Sequence, residues 1–65
     1  MIAMAFERNS LVYIYDVKGQ QISFITLRGG ASLLSFTTNN VNISDGKYIY
    51  IYNERGILTG TIRCL

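Results

Sequence analysis

Apolar and polar residues alternate at two-residue spacing along most of this chain, a pattern typical of β-strands. Tyr, Ile, Val, Thr, Phe and Ser dominate, and these residues favour strands or turns over helices. Glycine, asparagine and aspartate interrupt the alternation at short intervals. The pattern predicts an all-β domain of six or seven short antiparallel strands, closed into a small barrel or sandwich. The predicted strands cover roughly residues 2–7, 10–16, 20–28, 32–38, 41–44, 47–53 and 57–63, with 41–44 either a strand or an extended connection.

One phrase occurs twice in the chain. Residues 12–19 read VYIYDVKG and residues 49–56 read IYIYNERG, at a shift of 37 positions (12 + 37 = 49). Ile25 recurs as Ile62 at the same shift, so the repeat extends over 12–25 and 49–62. A repeat of this kind indicates one supersecondary unit used more than once within a single domain, residues 1–65.

The repeated unit has the turn chemistry of a β-hairpin. Asp16 and Asn53 each follow a strand-like run, and their side chains can accept hydrogen bonds from the backbone ahead of them. Gly19 and Gly56 stand three residues later, where a left-handed residue forms a bulge beside a type I turn. The sequence therefore predicts two related hairpins.

Counting outward from these turns assigns side chains to the two sides of each hairpin. In the first hairpin the count places Ile14 near Ile22 and Val12 near Phe24, so that these four form a core side. In the second hairpin it places Ile49 and Ile51 beside Thr59 and Thr61. The other side of that hairpin then carries Tyr48, Tyr50, Tyr52, Leu58, Gly60 and Ile62. Both sides of both hairpins are then substantially apolar, whereas a sheet with one solvent-exposed side alternates between apolar and polar residues. Either the sheet folds over itself or another subunit covers it.

The composition favours self-association. A domain of 65 residues is marginally stable without a disulfide, a metal or a second subunit. Cys64 is the single cysteine and histidine is absent, so no intrachain disulfide, metal site or cofactor is predicted. Charged residues make up 15% of the chain, against about 25% in typical domains. We expect a homo-oligomer, and the lone cysteine and lack of a membrane span predict a cytoplasmic location.

The five tyrosines are the candidate binding residues. We expect Tyr13, Tyr15, Tyr48, Tyr50 and Tyr52 to pack against another copy or a protein partner, because tyrosine combines a packing ring with a polar tip.

Tyrosine stripes also stack on single-stranded nucleic acid, which is the alternative function. Its predicted contacts add Lys47, Arg55 and Arg63. A net charge of +2 and an isoelectric point near 8.9 fall short of the strongly basic surface that this function favours.

The same inventory argues against catalysis. Without histidine, acid–base chemistry would fall to four carboxylates in turns or strand flanks, namely Asp16, Asp45, Glu7 and Glu54. Cys64 is a nucleophile only beside an activating group, and the adjacent Arg63 points to the other side of a strand. We expect a noncatalytic protein.

The paired phrases around Tyr13 and Tyr50 resemble the Y-x-Y-D-x-x-G-x-x-I hairpins of short bacterial and prophage-type β proteins. The similarity covers about residues 12–62 and includes the linker at 34–41. The resemblance implies small β proteins encoded on bacterial or prophage genomes, and its motifs specify turns. No catalytic or binding residue carries over from it.

Overall fold

A computed structural model describes residues 1–63 of the chain, and the expectation for Cys64 lies outside these residues. Seven β-strands are formed, which confirms the all-β prediction. They are β1 (Met4–Arg8), β2 (Leu11–Tyr15), β3 (Gln21–Thr26), β4 (Ser32–Phe36), β5 (Asn40–Ser44), β6 (Tyr48–Asn53) and β7 (Leu58–Arg63). Residues 41–44 belong to β5, so this segment is a strand and not an extended connection. Residues 1–63 hold no helix, and so none long and apolar enough to cross a membrane.

The strands form two antiparallel sheets that do not close into a barrel. The first sheet has the order β1-β2-β3 and the second sheet the order β4-β5-β6-β7. Side chains from both sheets meet in one buried core, as in a sandwich. The buried residues are Ile2, Ala5, Val12, Ile14, Ile25, Leu27, Val41 and Ile43.

Both predicted turns are present and nearly identical. The Asp16 carboxylate accepts hydrogen bonds from the backbone amides of Lys18 and Gln20, each at 2.9 Å. Asn53 accepts the equivalent pair from the residues two and four positions later, at 2.8 and 3.1 Å. Gly19 and Gly56 are left-handed, with φ of 81° and 78°. Each turn is therefore specified by its own five residues.

The predicted pairing beyond the turns is wrong by one residue. In the first hairpin Ile14 pairs with Ser23, and the next pair towards the turn is Tyr15 with Gln21. Ile22 is the extra residue of a β-bulge, and every pair beyond it moves by one position. Ile25 therefore replaces Phe24 opposite Val12 and joins the core side.

A bulge at the equivalent place shifts the second hairpin in the same way. Thr59 is the extra residue, so Ile51 pairs with Gly60 and Ile49 with Ile62. Ile62 therefore lies on the isoleucine side of β6 and not, as predicted, beside Tyr48.

The internal repeat is larger in the structure than in the sequence. β1 pairs with β2 through Met4 and Tyr15, and β5 pairs with β6 through Val41 and Tyr52, each 37 residues later (4 + 37 = 41, 15 + 37 = 52). β3 and β7 are also 37 residues apart (21 + 37 = 58). The chain is thus two copies of a three-stranded meander, and β4 is added at the edge of the second copy.

Polar contacts fix the two sheets relative to each other. The backbone amide of Ile2 donates to the carbonyl of Thr38 at 2.7 Å. The Glu7 carboxylate accepts from the backbone amide of Leu33 at 2.9 Å. The hydroxyl of Ser23 in β3 donates 2.8 Å to a carbonyl in the β6–β7 turn.

Candidate interaction surface

Each meander has two chemically distinct sides, because residues directly opposite in an antiparallel sheet share a side. We name them after β2 and β6. The tyrosine side carries Tyr13 and Tyr15 in the first sheet and Tyr50 and Tyr52 in the second. The isoleucine side carries Val12, Ile14 and Ile25 in the first sheet, and Ile49, Ile51 and Ile62 in the second.

The core lies between unlike sides of the two sheets. Val12 and Ile14 are fully buried on the isoleucine side of the first sheet. They face Val41 and Ile43, which pair with Tyr52 and Tyr50 and therefore lie on the tyrosine side of the second sheet. The intramolecular interface thus joins an isoleucine side to a tyrosine side.

The five predicted interface tyrosines do not form one surface. Tyr50 and Tyr52 are partly buried inside the sandwich, where Tyr52 packs on the core. Tyr48 lies on the same side at the strand end, with its ring 6.1 Å from that of Tyr50. Tyr13 and Tyr15 lie on the outer side of the first sheet, away from the core.

The open tyrosine side of the first sheet is a continuous apolar surface. The Phe6 ring stacks on Tyr15 at 5.6 Å and 5°, and it contacts Tyr13 at 5.6 Å. Met4 and Phe24 flank these rings with 52% and 54% of their surface exposed. The sequence interpretation did not include Met4, Phe6 and Phe24 in the surface. The alternation of Met4 and Phe6 in β1 was the available signal, whereas Phe24 reaches this side only because of the bulge.

The second sheet also has an open side, formed by its isoleucine side. Ile49 and Ile51 are half-buried there, and Ile62 is 52% exposed. Gly60 pairs with Ile51, and a Cβ added at Gly60 would lie 3.9 Å from the side chain of Ile51. This surface is apolar along β6 and β7. It is polar along β5, where Asn42 bonds to a serine of β4 at 3.0 Å.

A groove of about 340 Å³ opens beside the core, near the β5–β6 turn. Its lining includes Arg28, Ala31, Asp45, Tyr50, Tyr52 and Leu58. Hydrogen bonds from the backbone amides of Tyr48 and Lys47 hold the pKa of the Asp45 carboxyl below its ordinary value. Partial burial raises the pKa of Tyr50, and its hydrogen bond of 3.1 Å to Asp45 acts in the same direction. These bonds engage both oxygens of the carboxylate within the fold.

The basic residues of the nucleic-acid alternative do not form one stripe. Lys47 precedes β6, and Arg63 pairs with Tyr48 at the same end of the sheet. Arg55 lies in the turn after β6, so the length of this strand, about 20 Å at strand rise, separates it from Lys47. It is adjacent to Glu54, which forms an ion pair with the N-terminal ammonium group.

The four carboxylates considered for acid–base chemistry all take part in contacts of the fold. Asp16 and Asp45 organise turns, Glu7 bonds to the second sheet, and Glu54 pairs with the N-terminus. Within residues 1–63, no three side chains of the metal-binding types come close enough to hold an ion.

Comparison with known proteins adds no relative, since no family model, curated protein or solved structure matches the chain.

Proposed function

We propose that this chain is a noncatalytic assembly module whose copies associate through apolar sheet surface, in the cytoplasm of a bacterium and encoded on a prophage or other mobile genetic element. The open tyrosine side of the first sheet carries the proposal. Met4, Phe6 and Phe24 are all exposed there beside Tyr13 and Tyr15. Monomers rarely expose large contiguous apolar patches, and such patches mark interaction sites.

The small core supports the same proposal. Within residues 1–63 the eight buried core side chains are all aliphatic, and six of them come from the strands of the two sheets. A domain of 65 residues buries only about 60% of its unfolded surface, so its stability is marginal. Covering the open tyrosine side would add burial at about 25 cal/mol per Å² of apolar surface. Association thus stabilises the fold and covers this surface together.

The native mass tests this proposal. Light scattering over a dilution series measures the mass against the 7.3 kDa of one chain. We expect a mass above 7.3 kDa at micromolar concentration, and a fall towards it on dilution. A monomer throughout the series would refute self-association.

Binding of single-stranded nucleic acid is the second candidate, and the stacked Phe6 and Tyr15 rings favour it. Exposed aromatic rings stack on bases, and Arg8 lies on the same side at the end of β1. Fluorescence anisotropy with a labelled oligothymidine tests it. This function requires binding that weakens steeply from 50 to 200 mM salt and is lost in Tyr15→Ser. Absence of binding at low salt would exclude it.

A further inference from the structure

We propose that the copies associate head to tail. The open tyrosine side of the first sheet in one copy receives the open isoleucine side of the second sheet in the next. The contact repeats between chains the packing that the two sheets already make within one chain. This inference rests on the proposed self-association and specifies its geometry and partner, a second copy of this chain.

The intramolecular interface supplies the template. Its two halves are the isoleucine side of the first sheet and the tyrosine side of the second. Each half has a counterpart 37 residues away, and both counterparts are open. Val12, Ile14 and Ile25 correspond to Ile49, Ile51 and Ile62 on the open isoleucine side (12 + 37 = 49, 14 + 37 = 51, 25 + 37 = 62).

The open tyrosine side matches its buried counterpart equally well. Val41, Ile43, Tyr50 and Tyr52 form the buried version, and the residues 37 positions earlier are Met4, Phe6, Tyr13 and Tyr15. Two of these four pairs are identical tyrosines, and the other two, Val41 with Met4 and Ile43 with Phe6, keep an apolar side chain. One copy therefore presents both halves of an interface that its own fold shows to be complementary.

The turns follow the same correspondence. Within the chain the β6–β7 turn packs on β3, where a Cβ added at Gly56 would lie 3.0 Å from the carbonyl oxygen of Phe24. The equivalent β2–β3 turn is open, since nothing lies within 4 Å of the same position at Gly19. In the head-to-tail contact this turn lies over β7 of the next copy, near Thr61.

One departure from the repeat limits the contact area. Ala5 is buried on the isoleucine side of the first sheet, and its counterpart Asn42 is polar. The contact is therefore centred on β6 and β7, where Ile49, Ile51 and Ile62 lie. Because the two surfaces differ, the interface is heterologous, and such interfaces build rings or open filaments.

Two surface variants and their mixture test this geometry. Phe24→Lys blocks the open tyrosine side, and Ile62→Lys blocks the open isoleucine side; both residues are more than half exposed. Leu34→Lys is the matched control, because Leu34 is 55% exposed and is the extra residue of a bulge in β4, the edge strand farthest from β7. Far-UV circular dichroism verifies that each variant folds. If Phe24→Lys does not fold, Met4→Lys replaces it, and if Ile62→Lys does not fold, Ile51→Thr replaces it.

We expect each blocking variant alone to have the 7.3 kDa monomer mass, and the control to keep the wild-type mass. An equimolar mixture of Phe24→Lys and Ile62→Lys should form a dimer of twice that mass, because each contributes one intact and complementary side. Two results would overturn the head-to-tail geometry alone, provided that the wild type is an oligomer. One is a mixture of the two blocking variants that stays monomeric, and the other is Ile62→Lys keeping the wild-type mass. A monomeric wild type would overturn the proposed self-association itself.

Discussion

The equivalent glycines Gly19 and Gly56 allow the contact between the two sheets to be measured directly. Both are left-handed, with φ of 81° and 78°, so alanine suffers the same backbone strain at either position. That strain costs about 1–2 kcal/mol. The lower entropy of the unfolded alanine chain offsets about 0.4–1 kcal/mol of it. Gly19→Ala should therefore destabilise the fold by about 1 kcal/mol.

Gly56→Ala adds a steric cost that Gly19→Ala lacks. The new Cβ would lie 3.0 Å from the backbone oxygen of Phe24, closer than most Cβ contacts, whereas Gly19 has open space around it. Because the obstacle is backbone, β3 or the turn must move. Overpacking of this kind costs about 1–3 kcal/mol. The total for Gly56→Ala is then about 2–4 kcal/mol, a large part of the roughly 3–10 kcal/mol expected for 65 residues.

Urea unfolding followed by circular dichroism measures both variants, in protein dilute enough to be monomeric. With a slope of about 1 kcal/mol/M, the midpoints of the two variants should differ by about 1–3 M. Equal midpoints would refute the packing of the β6–β7 turn on β3. A midpoint of Gly19→Ala lower than that of Gly56→Ala would refute the assignment of the open and covered turns.

Three further changes have defined outcomes. The folded pKa of Asp45 lies below its unfolded value, so its contribution to stability is present above about pH 4 and is lost as the pH falls through the folded pKa. In urea unfolding measured at a series of pH values, Asp45→Asn should reduce the loss of stability between neutral and acid pH. An unchanged loss in this variant would contradict the role of the Asp45 carboxylate. Asp16→Asn and Asn53→Asp should each leave the urea midpoint nearly unchanged, while alanine at either site should cost about 1 kcal/mol or more through lost backbone hydrogen bonds; equal effects of the two kinds of change would reject the turn assignment. Ile14→Ala should cost about 2–5 kcal/mol because the side chain is fully buried, and a loss below 1 kcal/mol would show that this position is not core.

Part of the candidate surface follows from the sequence and part does not. Alternation alone identifies Tyr13 and Tyr15 as neighbours on one side of a strand, and the structure places them there. Phe24 joins them only because Ile22 bulges out of β3, and no local signal marks that residue. The alternation within a strand specifies which residues share a side, whereas pairing with the neighbouring strand decides where a bulge shifts the register by one residue.

The sequence by itself determines the turns and the repeat, because each turn is stabilised within five residues by an Asp16 or Asn53 side chain and a left-handed glycine. Only the tertiary structure decides which side of each meander is covered. The phrase YIY occurs in both copies, yet Ile14 is fully buried and Ile51 lies on an open side. Both sides of β2 and of β6 are apolar, so the shared YIY motif does not distinguish the side that is covered. Packing between distant strands makes the choice, and the apolar sides that it leaves open are those that we propose bind the next copy.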